Sequence, residues 1–556
     1  MTTNLESKVT LEKTDNNEIV RRRSRLSRRK ILIMLSVFLA VSLYFCLVPS
    51  CLILSPETTL ITQLDAEGKP DYAGTFRQEN NKKLINPEDN GLRMVIEKFG
   101  PYVLEQTRLM QDSVWEDLPE DTTEKGKWYR EKWMPLCKAM SIDHTKKPTE
   151  YKSIESKINA TKKEEYQKTG FLSSLLNKSW RADDYPDIAK FVSEADEALS
   201  VYAVAVKKPQ WVCYRPVDKG LMAVLLTDVH ASRSLCADFA IRANERISRN
   251  DIVGAFDDVL SIFRIARHLT NDDSMIVARF TGFAIEATGV NAAQSILTYG
   301  KPNAEQIRQF MNEFNKIPKY NKSIDNITRF EKMMLLEILF SIKRFAALYD
   351  DDDDWGSTRF SDSYLAALVF RSLPALPIDY NIAAKRLLSN LESLDKVNKE
   401  SDFDKRMQID KQMDLDFFKL EESLKKPLLV LPRVPLIRQR SALLADYLTC
   451  LLAPALGSFY TAEARMETQE DMLRVSFALE LYQRENGQYP DKLEAIVPKY
   501  IDVIPQDKFA AKELTYKKND NGYILYSFGR NKIDDNGDAK QQKDIVIERK
   551  IYFRRS

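Results

Sequence analysis

The stretch NDIVGAFDDVLSIFRIAR, Asn250 to Arg267, decides the fold class. Within it Ile252, Ala255, Phe256, Val259, Leu260, Ile262, Phe263 and Ala266 recur at three-to-four spacing, which puts them on one apolar helix face. Asp251 stands where an N-cap would accept a backbone N–H of the first turn. Just upstream, Ala237, Ala240, Ile241 and Ala243 form a small-residue face. The short break Ser248-Arg249-Asn250-Asp251 makes the two helices antiparallel neighbours. Outward from this hairpin, the spacing predicts helices over 185–210, 228–249, 252–270, 274–299 and 303–316. Gly300, followed by Lys301-Pro302, ends the fourth. Apolar stripes of this kind are read first as core.

Composition agrees with a mostly helical chain. Gly is 17 of 556 residues, about half the average share of roughly 7%. The closest two glycines, Gly68 and Gly74, are six apart, so GxG, GxGxxG, GxxxxGK[ST] and GxSxG are all absent. Phosphate-cradling loops, dinucleotide fingerprints and nucleophile elbows in their usual forms are thereby excluded. The three histidines, His144, His230 and His268, are far apart in sequence, and no HExxH or CxxC exists. That argues against His-based zinc sites and thioredoxin-type redox motifs. Buried free thiols are the expected state of Cys137, Cys213, Cys236 and Cys450.

Charge is concentrated at the start. Residues 1–30 carry nine Lys/Arg and four acids, a net +5, while the whole chain is +2, so residues 31–556 sum to −3. A near-neutral body has no basic footprint for nucleic acid. The basic block abuts Ile31 to Leu54, 24 residues without one charge. As a helix this run would be roughly 36 Å long, enough for the roughly 30 Å bilayer core. Its length and its 30 preceding residues favour an uncleaved signal anchor over a cleaved signal peptide. Positive charge stays inside, so the expected placement is the bacterial inner (cytoplasmic) membrane, single-pass, with the bulk of the chain extracytoplasmic.

The expected organisation is a basic cytoplasmic tail (1–30), a transmembrane signal anchor (31–54), a linker (55–90) and a helical extracytoplasmic domain (91–425). A Pro-rich break with an apolar helix (426–460) and an α+β module (461–556) follow. The hairpin at Asn250–Arg267 looks like one tetratricopeptide-type helix pair, although no 34-residue period repeats it. Trp211 to Ile317 is similar to a helical ectodomain of uncharacterised membrane-anchored bacterial envelope proteins, a resemblance that implies no activity. Asp350 to Asp354 is read as a solvated loop, because calcium ligands are spaced along a turning backbone. Residues 442–460 are apolar apart from Asp446. Asp at mid-span is unfavourable by roughly 3 kcal/mol, so a buried or partly membrane-facing helix is preferred there over a second span.

Residues 461–553 hold the most informative pattern. Met472, Val475, Leu479 and Tyr482 make one stripe on a helix from about Thr461 to Glu485, which Asn486-Gly487 ends. Asp491 is expected to cap a short helix, with Glu494 as its capping-box partner. Strands are predicted at Glu513–Lys517, Tyr523–Phe528 and Asp544–Phe553, the first two joined by a turn at Lys518–Gly522.

The order of LELYQRENGQYPDKLEAIVPKYIDVIPQD, a hairpin, and YSFGRNKIDDNGDAKQQKDIV resembles the C-terminal half of the major pseudopilin of type II secretion systems. The resemblance covers roughly 90 of 556 residues. It implies a helix packed on a small sheet, and a calcium ion in the last loop. Carried over residue by residue, the ligands would be Ser527, Asp534, Asp535, Asn536, Asp538 and Asp544. Asn531 stands where the family usually has an acid, and Lys508 where it has proline. A solvated turn without metal is the alternative. The chain also lacks the short leader and Gly/Phe junction of an exported pilin, so the module looks borrowed onto an anchored helical protein.

The resulting expectation is a mainly α chain: an N-terminal transmembrane helix, a large helical-hairpin ectodomain and a small C-terminal α+β pseudopilin-like module. Its expected role is scaffolding or assembly with protein partners in the cell envelope, associated with type II secretion or pilus-like machinery. The alternative is an extracytoplasmic carboxylate-dependent hydrolase on the helical domain. Its acids would be Asp228, Asp257, Asp258 and Glu286, which at helical spacing read as surface charge.

Overall fold

In the computed structural model the described residues are 60–100, 134–143, 149–341, 378–424, 437–538 and 544–550, less a few short gaps. The basic tail, the anchor at 31–54 and Asp350–Asp354 lie outside them. The described chain is mainly helical, with a small two-sheet β part near its C-terminus. It divides into two compact units. Among the described residues, one comprises those within Leu60–Glu337, Ser389–Leu420 and from Thr449 onward; the other comprises those within Ile338–Leu388 and Glu421–Leu448.

The larger unit opens with α1 (Tyr72–Lys82) and α2 (Gly91–Phe99). Asn90 caps α2 by accepting the Leu92 and Arg93 N–H groups, and its own amide donates to the Val212 carbonyl at 2.7 Å. Three short helices follow: α3 (Met134–Ala139), α4 (Ile154–Ala160) and α5 (Phe171–Asn177). The predicted helices then appear within a few residues of their expected bounds, as α6 (Pro186–Ala205), α7 (Thr227–Ser248), α8 (Ile252–Thr270) and α9 (Ile276–Ser295). A π-turn at Ile296–Gly300 and a left-handed Lys301 (φ 47°) separate α9 from α10 (Ala304–Asn315). Asp251 caps α8 by accepting the Gly254 N–H at 3.0 Å, as its position predicts. The stripe from Ile252 to Ala266 is buried among α7, α9 and α10. Gly282 lets α9 approach α8 closely: a Cβ there would lie 2.6 Å from Thr270 Cγ2 and 2.8 Å from its backbone nitrogen.

Four more helices are α11 (Asp325–Phe340), α12 (Tyr380–Asn390), α13 (Glu392–Lys399) and α14 (Phe403–Leu424). The last, α15 (Ile437–Asn486), is 50 residues long. Sequence reasoning expects two helices here, an apolar one within 442–460 and a second from about Thr461, and the structure joins them into one. The helix continues through Pro454, with Leu448 and Phe459 both buried on its flanks. A helical proline removes one hydrogen bond at a cost of about 3 kcal/mol, which burial on either side can offset. Asp446, the one charge in 442–460, is bonded to Arg386 at 2.8 Å within the smaller unit. Among the described residues no helix is long and apolar enough to cross a membrane.

The β part follows α15. Strands β1 (Gln506–Asp507) and β2 (Lys512–Glu513) pair with each other. Strands β3 (Thr515–Asn519), β4 (Gly522–Ser527) and β5 (Ile545–Lys550) form an antiparallel sheet with β4 at its centre. Met472, Val475 and Leu479 of α15 share a core with Leu514, Tyr523, Leu525 and Ile547, and Tyr482 packs at its edge. Leu473, Phe477 and Leu481, on another side of the same helix, join the core of α2 to α10. Phe477 lies 4.7 Å from Phe310, ring to ring. The expected capping box at Asp491 does not form. The short helix is a four-residue 3-10 turn, Leu493–Ile496, and the Asp491 carboxylate accepts from Lys518 of β3 at 2.8 Å.

Candidate functional site

The loop from β4 to β5 carries the sequence-predicted ligands, and 539–543 lie outside the described residues. Asp534 is exposed and accepts the Tyr526 hydroxyl at 3.0 Å and the Asn536 N–H at 2.9 Å. Asp535 accepts the Asn531 amide at 2.7 Å. Asn536 is left-handed, φ 58°, and accepts from Lys517. The Asp538 carbonyl accepts the Asp544 N–H at 3.1 Å. Asp544 is buried; its Oδ2 accepts the Gly537 N–H at 2.7 Å, and its Oδ1 has no hydrogen-bond partner among the described residues. Burial, and then repulsion from Asp535 and Asp534, pushes the Asp544 carboxyl above the ordinary carboxylate range.

Asp534, Asp535 and Asp544 therefore share one small region, whereas Ser527 is engaged elsewhere. Its hydroxyl donates to Asp507 Oδ1 at 2.8 Å. Asp507 also accepts the N–H groups of Phe509 (2.8 Å) and Phe528 (2.9 Å), so it ties β1 to the end of β4. Among the described residues no group of three or more His, Cys, Asp or Glu is arranged to hold a metal ion.

The acids of the helical domain are placed differently from their surface reading. Only Asp257 is exposed; Asp228, Asp258 and Glu286 are each 1% exposed. Arginines on neighbouring segments account for this. Arg215 bonds Asp228 at 2.8 Å and Asp272 at 3.0 Å. Arg242 and Arg246 converge on Asp258 at 2.6 and 3.0 Å. Arg267 bridges Glu286 at 3.2 Å and Glu470 of α15 at 3.0 Å. Glu286 and Glu470 thus face the same guanidinium from two helices. Burial raises Glu286, while against its own burial Glu470 is held low by the Arg267 guanidinium. Removing one partner of such a pair would strand a buried charge.

Two features escaped sequence reasoning. Asp238 of α7, fully buried, caps α4 from 84 residues away: it accepts the Ile154 and Glu155 N–H groups and the Tyr151 hydroxyl. Burial pushes its carboxyl up to about 7. The second is a cavity of about 680 Å³ beside α8, lined by residues from Asn80 to Pro318 and richer in cations than acids. Local spacing carries no signal for either, because both are assembled across long separations in the chain. No family model, no curated protein and no solved structure matches this chain.

Proposed function

We propose that this chain is a membrane-anchored extracytoplasmic scaffold or assembly protein, working with pilus-like or type II secretion machinery through its pseudopilin-like C-terminal module. The observation that carries the reading is the double use of α15. Its Val475 and Leu479 belong to the core under the sheet, and its Leu473 and Phe477 to the core of the helical hairpins. A helix shared in this way transmits position from one half of the unit to the other, which suits assembly. A carboxylate-dependent glycoside hydrolase would need two carboxylates converging on an open cleft. Asp228, Asp258 and Glu286 are bonded to buried arginines instead.

Calcium belongs to the same proposal. The orphaned, buried Asp544 Oδ1, with Asp534 and Asp535 close enough to raise its proton affinity, suits a hard cation that prefers oxygen. Asp534, Asp535 and Asp544, which among the described residues are not gathered into a metal-holding group, would close on the ion, and it would order the loop.

The test is photocrosslinking in native membranes from exposed positions on β3 and on α10. Crosslinks to envelope assembly components from β3 are the expected result. Hydrolysis of glycosides or esters by the purified chain, lost in Glu286→Gln, would overturn the scaffold reading.

A further inference from the structure

The cavity beside α8 carries a charge that the rest of the chain does not. Lys83, Lys207, Lys208, Arg264, Arg267 and Lys316 line it, against Asp272 and Glu313, a net +4 with His268 neutral. Residues 31–556 as a whole sum to −3, so the cations are gathered locally. Both acids are already engaged: Asp272 by Arg215 at 3.0 Å, and Glu313 by Lys316 at 2.5 Å and, more loosely, Arg264 at 3.7 Å.

One of the cations is loosely matched by protein groups, and a second, though paired with two carboxylates, keeps unused N–H groups. The Arg264 side chain is only 15% exposed, and its ion pair with Glu313 is long. Burial pulls its pKa down, against the opposing pull of Glu313 and Asp257. Arg267 is 5% exposed; its Nη2 serves Glu286 and Glu470, but its Nε and Nη1 have no hydrogen-bond partner among the described residues. Buried guanidinium N–H groups are rarely left so.

One wall is flat and fixed. Trp211 stacks on His268 with ring centroids 6.0 Å apart and planes 20° apart. The Trp211 indole N–H donates to Ser232 Oγ at 3.3 Å, and His268 Nε2 donates to the Val206 carbonyl at 3.0 Å. Burial pulls the His268 pKa down. The volume falls within the roughly 300–1,000 Å³ of small-molecule sites.

We propose that this cavity binds a small, multiply charged phosphate ester, its phosphates on Arg264, Lys207 and Lys316 and its organic part against the Trp211–His268 wall. Arginine suits such oxyanions because its planar fork matches their geometry. The source would be a free soluble ester or the headgroup of a phosphorylated lipid.

The experiment is calorimetric titration of the full chain with tripolyphosphate, with citrate, and with vesicles containing phosphatidate. Tripolyphosphate should bind one to one, more tightly than citrate, with an affinity that falls as salt rises. The double variant Lys207→Gln/Lys316→Gln changes two exposed side chains and should fold normally. It should weaken binding by about ten-fold or more without moving the melting temperature. Arg264→Gln should weaken it as well, and Lys518→Gln, on β3, should not. Binding to phosphatidate vesicles as well, weakened by the same double variant, would assign the lipid headgroup as source; tripolyphosphate binding alone would assign a soluble ester. No heat at millimolar tripolyphosphate, or equal weakening by Lys518→Gln, would overturn the proposal.

Discussion

Asp238 shows how a single buried side chain can hold two distant segments together. Its carboxyl receives Tyr151 Oη at 2.6 Å and the Ile154 and Glu155 N–H groups at 3.0 and 3.2 Å. Asp238→Ala would leave these donors without an acceptor, at about 1–3 kcal/mol for each that stays buried, and urea denaturation should read a loss of roughly 3 kcal/mol or more. The proton adds a pH dependence with a definite sign. Burial pushes the folded carboxyl up to about 7, against about 3.9 for an exposed aspartate. Between those values the folded chain holds a proton that the unfolded chain has released. Stability from this residue therefore falls as pH rises across that window, by at most about 1.4 kcal/mol per pH unit. Asp238→Asn, which cannot ionise, should flatten the slope between pH 4 and pH 7; an unchanged slope would remove Asp238 as its cause. Residues of this kind are invisible to a reading by periodicity. Asp251 was legible because its partner is three residues away. Asp238 was not, because its partners are more than 80 residues away. Asp491 misled for a related reason: Lys518 of β3 claims the carboxylate that local spacing assigned to a cap.

At the scale of elements, the closest helix contact is also the most testable. Gly282 sits where a Cβ would meet Thr270 Cγ2 at 2.6 Å and two backbone atoms of α8 at 2.8 and 3.0 Å. Backbone cannot yield as a side-chain end can. Gly282→Ala should therefore destabilise by about 1–3 kcal/mol through overpacking, although alanine is the better helix former by about 1 kcal/mol; a thermal melt equal to the parent would show that α8 and α9 can slide apart freely. The loop between β4 and β5 gives a second outcome to check. If Asp534, Asp535 and Asp544 hold calcium, the ion adds about 2.7 kcal/mol at a free level 100-fold above its dissociation constant. The full chain should then melt higher in calcium than in chelator. Asp544→Asn should abolish the difference, and magnesium should substitute poorly because it demands tighter octahedral geometry. A melting temperature indifferent to calcium would leave a loop held by its own hydrogen bonds, such as Gly537 N–H to Asp544 at 2.7 Å. Helices α6 to α10 were readable nearly to their ends because apolar spacing, caps and breakers agreed. The extent of α15 was not, since Pro454 is a breaker by local rules and only burial on both sides overrides it.

For the whole molecule, the charge distribution sets the expected topology. Nine cations against four acids in residues 1–30 are followed by 24 uncharged residues, and moving such a block across a bilayer is strongly unfavourable. The expected arrangement keeps residues 1–30 inside and the bulk of the chain outside. The run 442–460 decides whether everything after it stays on that side. Its one charge, Asp446, is bonded to Arg386 at 2.8 Å, and Leu444, Ala445, Leu448, Phe459 and Tyr460 are buried. With protein partners for the described side chains at both of its ends, the expected arrangement leaves the C-terminus on the same face as Gly91. Reporter fusions after Leu26, Gly91 and Ser556 test this directly. The first should report the cytoplasmic side, and the second and third should agree with each other on the opposite side. Disagreement between Gly91 and Ser556 would make 442–460 a second span and would require the Arg386–Asp446 pair to open on insertion. Agreement of all three would place the whole chain on one side and remove the anchor at Ile31–Leu54.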